Sequence, residues 1–196
     1  KAWCESTGNN FVSHHSEKGI HVIQIKKGEK TENQGCTNSS GKGKSFILFS
    51  DDLDKALATF VLAIGAAATG KKVSIFFTFW GLNAIKKSNK PKTKKDIFGK
   101  MFGMMLPSDS MKLKLSKMNM AGIGPKMMRY VMKHKNIESL EALKDMSIAS
   151  GVEFIACQMS MDVMGISKEE LLDNVSIGGV ATYMNRAENS NVNLFI

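Results

Sequence analysis

Residues 151–167 read GVEFIACQMSMDVMGIS, and the fold turns on how they divide. Val152–Ala156 is a short apolar run, the mark of a strand buried on both faces. A helix is expected to start at Gln158 or Met159, which leaves Cys157 at the junction. In an open parallel sheet, ligands and chemistry gather at the carboxyl ends of the strands. The free N–H groups of a helix starting there would point at the sulfur and favour its thiolate, reachable at the rim of the sheet. Position alone leaves a second reading open, because free cysteine is often only a small buried hydrophobe. Met161 and Met164 are spaced i, i+3 and read as core rather than as soft metal ligands, and Asp162 reads as a turn residue.

Outward from this stretch the same alternation recurs. SFILFS (45–50), KVSIFFTF (72–79) and NVNLFI (191–196) read as further buried strands. A helix follows the first, with Ser50 as N-cap, three acids in the first turn and Gly70 closing it. ISKEELLDN (166–174) and the segment 179–189 read as helices, with a short strand near 174–177. Strands buried on both faces and alternating with helices predict a three-layer α/β/α sandwich with a mostly parallel sheet.

Residues 80–151 are too many for an ordinary crossover and read as an insertion. It holds a lysine run, the segment MFGMMLP (101–107), a helix over 125–135 and another over 136–151. At the front, 1–8 reads as a helix closed by Gly8, followed by a β-hairpin around SEKG (16–19). One helix and a hairpin cannot enclose a core. Residues 29–43 have linker composition. GKGKS (41–45) lacks the spacing of a phosphate loop and precedes a strand, not a helix.

The net charge of +9 is concentrated in 86–100, KKSNKPKTKKDIFGK, with seven lysines and one aspartate. The run contains no arginine, and base-reading surfaces normally want arginine and aromatics together, so no nucleic-acid partner is expected. Three cysteines, Cys4, Cys36 and Cys157, without zinc spacing or a signal peptide point to free thiols in a reducing cytoplasm. No metal and no cofactor are expected, and the adjacent His14 and His15 would face opposite ways on a strand. The apolar stretch 56–70 is shorter than the about 20 residues needed to cross a bilayer.

Four motifs carry a resemblance: FFTFWGLNAIKK (76–87), LSKMNMAGIGPKMMRYVMKHKNI (115–137), FIACQMSMDVMGI (154–166) and GGVATYMNRAENSNVNLFI (178–196). Together they resemble the DsrE/DsrF-like family, in its peroxiredoxin-like DsrE subgroup, over residues 44–196. The resemblance implies a three-layer α/β fold and sulfur handling, with a persulfide on Cys157 passed between protein thiols. It implies a sulfurtransferase or sulfur carrier, protein donors and acceptors of TusA-like or rhodanese-like type, and self-association into a homo-oligomer. Trp80 and Asn83 follow the second strand at the same sheet edge and would line the site, with packing the favoured role for Trp80.

Residues 1–28 resemble the last helix and hairpin of TusA-like (SirA-like) carriers. Their Cys-Pro-x-Pro motif is absent, so Cys4 is not the thiol of such a domain. The organisation expected is a partial TusA-like tail (1–28), a linker (29–43) carrying Cys36, and a DsrE-like domain (44–196). The start at Lys1 is read as a cut within the first of these. The competing reading is a non-catalytic assembly or membrane-surface protein that uses KMFGMMLP (100–107) beside the lysine run. A nucleotide enzyme is disfavoured, since the turn after the first strand is the acidic SDDLD (50–54).

Overall fold

The computed structural model describes residues 10–17, 20–26, 43–88, 101 and 106–196. The chain divides into two compact units, Lys1–Ser40 and Gly41–Ile196. The helix expected over 1–8 and nearly all of the expected linker lie outside the described residues, as does most of the lysine run.

In the first unit, β1 (Asn10–Glu17) and β2 (Ile20–Lys26) pair antiparallel, with an irregularity between Phe11 and Ser13. His14 and His15 stand opposite Ile23 and Val22, on alternate faces of the ribbon. Val12, Val22, Ile23 and Ile25 are exposed, as expected where two strands alone cannot build a core.

The second unit is built on five strands: β3 (Gly43–Leu48), β4 (Val73–Phe77), β5 (Glu153–Cys157), β6 (Val175–Gly178) and β7 (Ser190–Phe195). Their order is β6-β5-β4-β3-β7, and every neighbouring pair is parallel. The mostly parallel sheet expected of an α/β sandwich is thus present, and each of its pairings is parallel. Among the described residues its α-helices include α1 (Leu53–Ala68), α2 (Ile123–His134), α3 (Leu140–Ala149), α4 (Gln158–Met164) and α5 (Val180–Glu188).

One face of the sheet carries the main core. Ile75 and Phe77 of β4 and Phe154 and Ala156 of β5 meet Leu53, Ala56, Phe60 and Ala63 of α1. Leu140 and Leu143 of α3 and Met161 and Met164 of α4 complete this core. The rings of Phe60, Phe77 and Phe154 lie 5.3 to 6.1 Å apart. Each fully buried ring stabilises the fold by about 1.5–3 kcal/mol.

Among the described residues, the other face is thinly covered. The chain leaves β6 at one edge of the sheet and reaches β7 at the other through α5. Four strand spacings make the sheet about 19 Å wide, whereas nine helical residues span about 13 Å. No residue of α5 is buried.

Two local expectations fail for identifiable reasons. Helix α1 starts at Leu53 with Asp52, not Ser50, as its N-cap residue. The Ser50 hydroxyl instead donates to Asp52 Oδ2 at 2.6 Å, and Leu53 N–H is satisfied by the Lys114 carbonyl. Only Asp54 then falls in the first turn, where it accepts from the backbone and hydroxyl of Ser116. The helix expected over 166–174 shrinks to one 3-10 turn, Lys168–Glu170. Ser167 and Glu170 form a reciprocal capping box, but the chain is extended again at Leu171, which is buried.

A polar cluster ties the segments of the insertion to one another. Arg129 of α2 donates to Glu141 of α3 at 3.1 Å and to the Ser110 carbonyl at 3.0 Å. Lys144 Nζ donates to Ser110 Oγ at 2.7 Å, and that hydroxyl donates to Glu141 at 3.1 Å. Lys144 is only 5% exposed, and burial pushes its ammonium below the ordinary lysine value.

Candidate functional site

Strand β5 ends at Cys157, and α4 begins at the next residue, with Cys157 in its N-cap position. The main-chain placement read from the sequence is therefore present. The accessibility is not: Cys157 is a free thiol, but only 1% exposed. The expectation of a reachable sulfur at the sheet rim is corrected on this point.

The reason lies in the side-chain alternation of β5. Phe154 and Ala156 face the main core, so Ile155 and Cys157 face the other way. There Cys157 joins Phe76 and Ile155 in a small apolar cluster, against which Ile47 and Tyr183 pack. The Tyr183 ring of α5 lies 5.3 Å from that of Phe76. Cys157 stands opposite Gly178 of β6 in the strand register.

On the same face, at the other end of β5, Glu153 accepts two hydrogen bonds from Arg186 of α5, at 2.7 and 2.9 Å. Bidentate pairs of this kind are the strong form of ion pair. Tyr183 and Arg186 thus fasten α5 over the strand that ends in the thiol. Sequence reading missed both, although their i, i+3 spacing in YMNR (183–186) was a usable signal.

Beyond the strand ends, Thr78 and Ser160 share a hydrogen bond of 2.8 Å between buried hydroxyls. It joins the residue after β4 to the third residue of α4. Trp80 and Asn83 lie on the 3-10 helix Phe79–Ile85, which packs against α4. Trp80 is half-exposed rather than packed, whereas Asn83 is wholly buried. The Asn83 amide donates to Asp51 Oδ2 at 3.1 Å. Burial pushes the Asp51 carboxyl above its ordinary value, and this hydrogen bond opposes the shift.

Met161 and Met164 are core, Met159 is exposed, and His134 is exposed at the end of α2. Asp162 is no turn cap: its carboxylate accepts from Gln158, one helical turn earlier, on the surface. No helix among the described residues is long and apolar enough to cross a membrane.

Comparison with known proteins adds to this geometry. Residues 41–195, which include Cys157, match the model of the DsrE/DsrF/DrsH-like family. Over 155 residues the chain is 48% identical to the uncharacterized protein YrkE of Bacillus subtilis, covering 79% of this chain and 97% of that one. Over 159 residues it is 36% identical to the sulfur carrier protein DsrE2 of Allochromatium vinosum, covering 79% of this chain and 98% of that one. Among solved structures, the ychN protein from E. coli aligns with 79% of this chain and 99% of its own, at 14% identity and a TM-score of 0.48.

Proposed function

The chain belongs to the DsrE/DsrF/DrsH-like family, and on that premise we propose that it is a sulfur-relay protein carrying sulfane sulfur on Cys157. The observation that carries this reading is the place of Cys157, at the carboxyl end of an interior parallel strand and at a helix start. Its 36% identity to a sulfur carrier protein supports the same reading.

The chemistry needs a single thiol on this chain. The Cys157 thiolate attacks the outer sulfur of a donor persulfide, R–S–SH. A new S–S bond forms, the donor's S–S bond breaks, and R–S⁻ leaves. The product is a Cys157 persulfide, Cys157–S–SH. An acceptor thiolate then attacks its outer sulfur and releases the Cys157 thiolate. Atoms and electrons balance with no outside oxidant, and each step runs by thiol–sulfur exchange.

Donor and acceptor are separate protein thiols of TusA-like or rhodanese-like type. The β1–β2 hairpin is read as the tail of a TusA-like domain. With no Cys-Pro-x-Pro motif in 1–28, this stretch supplies no second relay thiol.

The test is intact mass after incubation with glutathione persulfide, followed by peptide mapping. The wild-type protein is expected to gain one sulfur on the peptide holding Cys157, and Cys157→Ser to gain none. A gain that persists in the variant, on Cys4 or Cys36, overturns the assignment.

A further inference from the structure

We infer that helix α5 is the movable cover over Cys157, and that Tyr183 and the Arg186–Glu153 ion pair set how often it opens. The inference rests on Cys157 as the relay thiol. A carrier's sulfur must meet a partner's sulfur, yet this one is 1% exposed.

The two faces of the sheet are not equivalent as routes. The face behind Ala156 is the main core, with Phe60, Phe77 and Phe154 fully buried beneath α1 and α3. Opening it would disrupt most of the domain's packing. The face that Cys157 shares has, among the described residues, one helix over it. That helix is short and buries none of its residues. Segments with few buried contacts open at the low end of a protein's stability range.

Helix α5 is also built to leave as a unit. It is entered through Gly178–Gly179 and has no side-chain cap at its start. At its other end Asn189 and Ser190 bond back to the carbonyls of Asn185 and Arg186, so the last turn stays closed by itself. Among the described residues, the Tyr183 ring packs on Phe76, Thr182 lies against Gly178, Arg186 grips Glu153, and the Asn193 amide of β7 donates to the Ala187 carbonyl at 3.3 Å. The ion-pair side chains are 42% and 38% exposed, so salt reaches them.

The experiment measures how fast iodoacetamide labels Cys157 in the full chain, read on its peptide by mass spectrometry, at low and high salt. The wild-type protein is expected to label slowly, and faster in salt. Arg186→Ala should label about two- to fivefold faster at low salt, the range for an exposed ion pair. It should lose the salt response, and Arg186→Lys should recover part of both. Tyr183→Ala should label about tenfold faster, as lost aromatic packing implies. Equal rates in the wild type, Arg186→Ala and Tyr183→Ala overturn the cover.

Persulfide loading separates this inference from the relay. Loading on Cys157 with unchanged labelling rates removes the cover and leaves the relay. Faster labelling in the variants without sulfur loading leaves the cover and removes the relay.

Discussion

Thr78 and Ser160, 82 positions apart in the chain, join buried hydroxyls at 2.8 Å beside the start of α4. The bond ties the end of β4 to the helix that Cys157 begins. Deleting one partner leaves the other buried and unsatisfied, which costs more than the bond itself contributes. Thr78→Val and Ser160→Ala should each lower stability by about 1–3 kcal/mol, and the double variant by less than their sum. Urea unfolding of the four proteins checks this, and additive losses would show that the bond does not couple the two elements.

Much of this arrangement could be read from residue order. The strand-to-helix junction at Cys157 needed only an apolar run ending where a helical period begins. The parallel sheet needed only the recurrence of such runs. The facing of Cys157 was not legible, because a strand buried on both sides shows no alternation to reveal which residue points where. Nor was its burial, which depends on Tyr183 meeting Phe76 from 107 positions away. Lys144 was hidden for the same reason. A lysine in LEALKDM (140–146) reads as solvated until Ser110 arrives from elsewhere in the chain.

Lys144 predicts a specific pH response. Its ammonium is held below the ordinary 10.5, first by burial and further by Arg129, while Glu141, Asp145 and Asp109 oppose the shift. Above 10.5 the amine is neutral in both the folded and the unfolded chain. As the pH falls through 10.5, the unfolded chain takes up the proton first. The unfolded state then binds more protons, so stability falls with pH until the folded site is charged too. The wild-type protein should therefore gain stability as the pH rises towards 10.5, and Lys144→Met should lack that part of the rise. Urea midpoints over a pH series measure it, and parallel profiles would refute it.

Helix α2 offers a contrast between two methionines five residues apart. Met132 is buried against the domain, whereas Met127 is exposed on the opposite side of the helix with Ile123 and Tyr130. Truncating a buried methionine costs about 2–5 kcal/mol, while a surface change stays within about 0.5 kcal/mol. Met132→Ala should lower the urea midpoint clearly and Met127→Ala hardly at all. Equal losses would mean that the outer stripe of α2 is covered in solution.

Gly178 tests how closely α5 sits on the sheet. A Cβ built there would lie 2.9 Å from Ile155 Cγ2 and 3.0 Å from both Thr182 Cβ and Cγ2. Real Cβ atoms essentially never show the first distance and seldom the other two, so either the Ile155 side chain turns or α5 lifts. Ile155 is 1% exposed and packed with Phe76 and Cys157, so it has little room to turn. The helix buries nothing and is the softer of the two. Gly178→Ala should therefore cost about 1–3 kcal/mol, the range for overpacking. It should also raise the labelling rate of Cys157, although the thiol itself is unchanged. Adding Thr182→Ala removes one of the crowding methyls and should restore part of both effects. A destabilised Gly178→Ala protein whose Cys157 labels no faster would show that Ile155, rather than α5, gives way.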